Sequence, residues 1–200
     1  MKVEFLKSAF REAHYPSPDR PEVAFGGRSN VGKSSLLNVL VNRRKLARTS
    51  ARPGRTQAIN FFAVDDRLYL VDLPGYGYAR VPLKVKESWG KMVESYLKGR
   101  ANLKAVVVIL DIRRDPSGDD KALLQWLAHY GIASILVLTK SDKLKRHQSL
   151  VRAGTIMEKL SDISPDRPII FSARTRDGRE LLWQRIEAAI GSGCSQDHRP

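Results

Sequence analysis

The chain has 200 residues, 42% of them hydrophobic, enough to bury one substantial core but leaving little room for a second independent domain. Its formal charge of +14, from 35 Lys and Arg against 21 Asp and Glu, is large for this length. It fits a polyanionic partner and a merely solvated basic face about equally well. No run reaches the roughly 18 apolar residues of a membrane span, Met1 to Arg20 is too charged for a secretory signal, and the single cysteine, Cys194, lies in a polar tail. These features exclude a disulfide framework and a thiolate metal site, and a cytoplasmic protein without stable membrane association is expected.

Between Pro21 and Ile190, short apolar runs alternate with longer amphipathic ones, the pattern of parallel strands joined by crossover helices. In chain order the expected elements are a strand at Glu22–Phe25, a helix at Lys33–Asn42, and strands at Ile59–Val64 and Leu68–Asp72. A helix at Leu83–Gly99 follows, with Pro82 suited to its first turn, then a strand at Ala105–Leu110 and a helix at Gly118–Tyr130. A strand at Ser134–Thr139, a helix at Gln148–Leu160, a strand at Ile169–Phe171 and a helix at Gly178–Ile190 complete the series. Asp65-Asp66 reads as a tight hairpin turn, so one edge strand should run antiparallel. The fold class is α/β: three layers, with a mostly parallel six-stranded sheet, one antiparallel edge strand and helices on both faces. Residues 1–20 read as an N-terminal extension, 21–190 as a single domain and 191–200 as a polar tail. Nothing resembles a coiled coil, and a monomer is the default.

In such sheets ligands sit beyond the carboxyl ends of the strands, and the motifs fall there. Gly27-Arg28-Ser29-Asn30-Val31-Gly32-Lys33-Ser34 matches G-x-x-x-x-G-K-S between a strand and a helix, the context a phosphate-binding P-loop requires. Its backbone N–H groups and the helix N-terminus would cradle phosphates, Lys33 would bridge the β- and γ-phosphates, and the Ser34 hydroxyl would bind Mg²⁺. Asp72-Leu73-Pro74-Gly75 matches D-x-x-G, where the aspartate holds Mg²⁺ through water and the glycine N–H senses the γ-phosphate. Alone it is a common turn; one hairpin after a P-loop it reads as functional. Thr139-Lys140-Ser141-Asp142 fits T/N-K-x-D. The Asp142 carboxylate can accept from guanine N1–H and N2–H₂, a donor pair adenine lacks, with the Lys140 stem over the base. In isolation these four residues would more often cap a helix, by about two to one, and it is their order after the other motifs that favours guanine. Ser172-Ala173, after Phe171, can offer a backbone N–H to guanine O6. Together these four elements describe a P-loop GTPase that binds and hydrolyses GTP. The catalytic group is expected to comprise Lys33, Thr56 and Gly75.

The loop between Asn42 and Ile59 must supply the hydroxyl that closes over magnesium, and it contains Thr49, Ser50 and Thr56. Thr56 is preferred because it directly precedes the next strand, with Thr49 as the alternative. Gly54, Arg55, Gln57 and Ala58 are counted with it as nucleotide contacts. Such a loop orders only while its γ-phosphate contacts exist, which turns hydrolysis into a conformational signal.

By its motifs the chain resembles the EngB (YihA/YsxC) family of bacterial GTPases, within the TrmE–Era–EngA–EngB group, over nearly its whole length. The resemblance rests on Gly26 to Ser35, Leu46-Ala47-Arg48-Thr49-Ser50, Pro53-Gly54-Arg55-Thr56-Gln57, Val71 to Ala79, and the N-terminal Phe5-Leu6-Lys7-Ser8-Ala9. It implies a GTPase acting in assembly of the large (50S) ribosomal subunit, and so in normal growth and division, with Ser34 and Thr56 on magnesium and Gly54 to Thr56 in the first switch. The basic clusters at Arg43 to Arg55, Lys84 to Lys91 and Lys140 to Arg146 then read as contacts to ribosomal RNA. One departure is Arg114, where histidine often follows Asp111-Ile112-Arg113.

Tyr76 stands where Ras-type GTPases carry the water-orienting glutamine. Slow intrinsic hydrolysis is therefore expected, with the missing element supplied by a partner or by K⁺ held near Asn30, as in related GTPases with asparagine there. Two other readings compete. A small-molecule kinase would have no use for Thr139 to Asp142, and a GTP-regulated scaffold for cell-division or membrane partners would bind lipid irrespective of nucleotide.

Overall fold

The computed structural model describes residues 1–43, 58–77, 83–164 and 166–191, without the side chains of residues 83–89. Strands are β1 (Val3–Ala9), β2 (Glu22–Gly27), β3 (Ile59–Val64), β4 (Leu68–Asp72), β5 (Leu103–Asp111), β6 (Ala133–Thr139) and β7 (Ile169–Ile170). Helices are α1 (Lys33–Leu40), α2 (Leu83–Gly99), α3 (Gly118–His129), α4 (Arg146–Leu160) and α5 (Arg179–Gly191). The strands form one sheet in the order β1-β3-β4-β2-β5-β6-β7. Pairings from β4 through β2, β5 and β6 to β7 are parallel, whereas β3 runs antiparallel to both β4 and β1.

The central strands are near-continuous apolar runs because helices cover both faces of the sheet. Along β5, Val106, Val108 and Leu110 pack with Tyr96 and Leu97 of α2, Leu124 and Leu127 of α3 and Ile156 of α4. Val107 and Ile109 face the other way, toward Leu36, Leu37 and Leu40 of α1 and Leu182 and Ile186 of α5. The period of two along the strand thus assigns α2, α3 and α4 to one layer and α1 and α5 to the other.

The expected α/β architecture holds, and the structure adds a seventh strand from within residues 1–20. Val3 to Ala9 pairs with Val64 to Ile59, with a register shift between Phe5 and Lys7. Most of β1 is exposed, so its sequence lacks the apolar signature of a core strand. The open edge of β3 recruits it, and Phe5 packs on Phe62 with ring centroids 5.6 Å apart. The antiparallel β3 therefore lies one place in from the edge. Its turn to β4 uses Asp65 and Asp66 at φ of 48° and 53°, the left-handed pair of a two-residue hairpin.

Helix limits differ by one or two residues from expectation except in α2, which matches. Helix α1 stops at Leu40 rather than Asn42, which has φ of 54°. Helix α4 starts at Arg146 rather than Gln148, since Gln148 Oε1 reaches back to accept from Lys145 N–H at 3.1 Å.

Candidate functional site

Strand β2 ends at Gly27 and α1 begins at Lys33, so the phosphate-binding motif forms the turn between them. The turn needs two left-handed residues, Asn30 at φ of 63° and Gly32 at 106°. Gly27 lies so close to β5 that a Cβ there would sit 2.8 Å from the Ile109 carbonyl oxygen. Ser34 lies in the first turn of α1, half-buried. The Lys33 ammonium contacts the Asp72 carboxylate at the end of β4, which joins the first two motifs in one place. Among the described residues no group of three or more His, Cys, Asp or Glu is placed to hold an ion. Mg²⁺ is commonly bound by one or two protein oxygens together with waters and substrate phosphates. The Ser34 hydroxyl and the Asp72 carboxylate are oxygen groups of the type it takes.

Beyond Asp72, Leu73 N–H donates to Phe25 O at 3.1 Å, Tyr76 N–H to Gly27 O at 3.3 Å, and Ser29 N–H to Tyr76 O at 2.9 Å. Leu73, Pro74 and Gly75 are thereby laid alongside the phosphate-binding turn.

Loops after β5, β6 and β7 build the other end. Thr139 Oγ1 lies 2.6 Å from Val31 O and 3.0 Å from Leu110 O. Lys140, at φ of 63°, extends its ammonium to Asn30 O at 2.7 Å and Asp111 Oδ2 at 2.9 Å. The Lys140 stem thus runs beside the P-loop, bringing the third motif to the first. Ser141 N–H donates to Phe171 O at 3.2 Å. Asp142 Oδ1 accepts from Ser172 Oγ at 2.9 Å, while its Oδ2 has Lys143 Nζ at 3.7 Å. Ser172 N–H is occupied by Asp177 O at 3.2 Å, whereas Ala173 N–H has no protein acceptor among the described residues. Of the two adjacent amides, that of Ala173 is the one free to meet a ligand.

Sequence reasoning overlooked Asp111 as a site residue. Burial pushes its carboxyl up, but the Arg113 side chain and backbone N–H together with Lys140 outweigh burial and hold it well below the ordinary carboxylate range. Its position opposite Thr139, at the carboxyl end of the neighbouring strand, was the available signal. Tyr76 also acquires a partner the sequence did not show: its hydroxyl donates to Asp120 Oδ1 at 2.8 Å. Of the first-switch contacts, Gly54, Arg55, Thr56 and Gln57 lie outside the described residues, as do Thr49 and Ser50. Ala58 is half-buried immediately before β3.

Residues 22–140 match the model of the family described as "50S ribosome-binding GTPase". The chain is 54% identical over 196 residues to the probable GTP-binding protein EngB of Geobacter metallireducens, covering 96% of each. It is 56% identical to that of Syntrophus aciditrophicus, covering 96% of this chain and 97% of the relative. A crystal structure of a probable GTP-binding protein EngB superposes with a TM-score of 0.70 at 28% identity, covering 86% of this chain and 99% of that one. The chain therefore belongs to the EngB family of GTP-binding proteins and is a GTP-hydrolysing P-loop enzyme.

Proposed function

We propose that this GTPase is a monomeric cytoplasmic switch that acts in assembly of the large ribosomal subunit, and through it in growth and division. The observation that carries the reading is the match of residues 22–140 to a family described by 50S ribosome binding. The distribution of charge supports an RNA partner. In the loops after β5, β6 and β7 and at the first residue of α4, Arg114, Lys145, Arg146, Arg174 and Arg176 are exposed, with no ion-pair partner among the described residues. Unpaired cations are the ones available to phosphates.

In this reading the amides of Gly27 to Ser34 and the Lys33 ammonium hold the phosphates, and Gly75 N–H meets the γ-phosphate. Asp142 accepts from guanine N1–H and N2–H₂, and Ala173 N–H donates to O6. Ser34 and Thr56 would hold Mg²⁺, with Asp72 acting through water; the ion would neutralise charge developing between the β- and γ-phosphates. Gly54 to Ala58 form the first switch. A tyrosine at position 76 lacks the amide with which the Ras-type glutamine orients the attacking water. Hydrolysis is therefore slow until a ribosomal partner, or K⁺ held near Asn30, supplies what Tyr76 does not.

The test is cosedimentation with separated ribosomal subunits, comparing GDP with a non-hydrolysable GTP analogue across a salt series. Binding to the large subunit with the analogue alone, weakening as salt rises, is expected. Equal binding to both subunits in either nucleotide removes the ribosomal reading and leaves the GTPase.

A further inference from the structure

The chain after β4 does not leave the sheet at Asp72. Through the three hydrogen bonds of Leu73, Tyr76 and Ser29 it continues the parallel pairing, and Arg28 and Tyr76 form an isolated parallel bridge. Gly75 is pressed against the phosphate-binding turn: a Cβ there would lie 3.2 Å from Ser29 Oγ and 3.4 Å from Ser29 N. Ser29 thus fills the space on that side of Gly75, and its N–H is already given to Tyr76 O at 2.9 Å, so in this arrangement that amide is not open to a phosphate oxygen. At Gly77, φ is 73° and a Cβ would meet Arg28 Nε at 2.8 Å, so the backbone passes directly beneath the arginine.

The Ser29 hydroxyl, 3.2 Å from Tyr76 O, and the Tyr76 side chain add to these backbone ties. The Tyr76 hydroxyl crosses to α3 and donates to Asp120 Oδ1 at 2.8 Å. Asp120 is itself fixed, because Oδ2 accepts from Ser117 N–H at 2.8 Å and Ser117 Oγ at 2.6 Å in the capping box of α3. The carboxylate is 3% exposed and sits in the first turn, where the helix dipole favours negative charge. Burial and the adjoining Asp120 raise the Tyr76 phenol far above its ordinary range, so it remains a donor at any working pH. A cavity of about 490 Å³, lined in part by Leu73, Tyr76, Leu97, Leu123 and Trp126, lies beside the ring and leaves it room to swing away.

We propose that Tyr76 and Asp120 form a latch that sets the preference between GDP and GTP. The phenol–carboxylate bond holds Leu73 to Gly77 against Gly27 to Ser29, a position compatible with GDP, and it breaks when a γ-phosphate enters between Gly75 and the turn. The free energy of breaking it is subtracted from GTP affinity and not from GDP affinity, because only GTP requires the open position. Tyr76 is then a positioning residue that touches neither phosphate nor metal. The inference rests on the reading of Asp72 to Gly75 as the γ-phosphate segment.

Fluorescence titration with labelled GDP and a labelled non-hydrolysable GTP analogue tests it on Tyr76→Phe, Asp120→Asn, the double variant and Gly75→Ala. Tyr76→Phe is expected to raise affinity for the analogue relative to GDP about tenfold, the size of one lost hydrogen bond to a charged group, with GDP affinity nearly unchanged and the melting temperature lowered by a few degrees, roughly what losing that bond costs the closed state. Asp120→Asn keeps an oxygen for Ser117 and turns its N–H₂ toward the Tyr76 oxygen, a weaker neutral bond, so it should shift the ratio in the same direction by less. The double variant should shift it no further than Tyr76→Phe alone, since both changes act on the same bond. An unchanged ratio in folded Tyr76→Phe overturns the latch, and if that variant folds poorly the ratio in Asp120→Asn decides. Gly75→Ala separates the two ideas. Selective loss of analogue binding there keeps the γ-phosphate reading whatever Tyr76→Phe does, whereas no effect on either nucleotide removes that reading itself.

Discussion

Ser172 Oγ lies 2.9 Å from Asp142 Oδ1 and donates to it, joining the loops after β7 and β6 across a sequence separation of 30 residues. The same oxygen accepts from the N–H groups of Arg174 and Thr175 at 3.2 and 3.1 Å, which turns its own hydrogen toward the carboxylate. Asp142 is thus oriented before any base arrives. Ser172→Ala is expected to weaken GDP binding about tenfold by freeing that carboxylate. Asp142→Asn replaces an acceptor by a donor. It should weaken GDP on the order of a hundredfold and favour XDP, whose C2 carbonyl can accept from the amide. Parallel titrations with GDP and XDP check both, and unaltered guanine preference in Asp142→Asn would remove Asp142 from the base site.

Thr139 Oγ1 serves the phosphate end although it stands in the guanine motif. Thr139→Val keeps the shape but leaves the Val31 carbonyl without the hydroxyl 2.6 Å away. The expected cost is about 1–2 kcal/mol in urea unfolding, accompanied by weaker binding of GDP and GTP alike, since the phosphate-binding turn loses its tie to β6.

Asp111 gives a stability effect with a defined pH direction. Its folded-state pKa lies below its ordinary value of 3.8, so the stabilisation is fully present above that value and is lost as pH falls toward the folded one. Asp111→Asn should cost about 1 kcal/mol at neutral pH, a small figure because Arg113 and Lys140 are partly solvated. The gap from the unaltered protein should narrow as denaturation is repeated below pH 4, roughly where the unfolded carboxyl protonates. A gap constant with pH would contradict the assignment.

A buried ion pair closes the opposite end of the sheet. Glu22 is fully buried and contacts the Arg100 guanidinium, with Tyr96 Oη donating to its Oε2 at 2.7 Å. Arg100→Met leaves that carboxylate without a countercharge and should destabilise by about 3–5 kcal/mol. Adding Glu22→Gln should restore part of the loss, because no buried charge then lacks compensation. Chemical denaturation of the two variants gives the comparison.

The nucleotide motifs were legible in the sequence because much of their chemistry is local. A phosphate-binding turn needs successive backbone amides, left-handed positions and a helix start, all within Gly27 to Ser34. The hairpin at Asp65-Asp66 and the limits of α2 were readable for the same reason, since turn conformation and helical periodicity are properties of neighbouring residues. Strand β1 was not, because an edge strand is mostly exposed and becomes a strand only when β3 presents open hydrogen-bonding groups. Nor was the role of Asp111, whose ionisation depends on Lys140 arriving from the next strand. The sequence by itself determined where the phosphate-binding turn, the D-x-x-G turn and the T-K-S-D motif lie. Tertiary structure alone decided how they are held: Thr139 on Val31, 108 residues apart, Lys140 on Asn30, 110 apart, and Tyr76 on Asp120, 44 apart. Hydrogen bonds across such separations form only after parallel strands have been brought side by side, and that depends on the packing of the whole sheet between its two layers of helices.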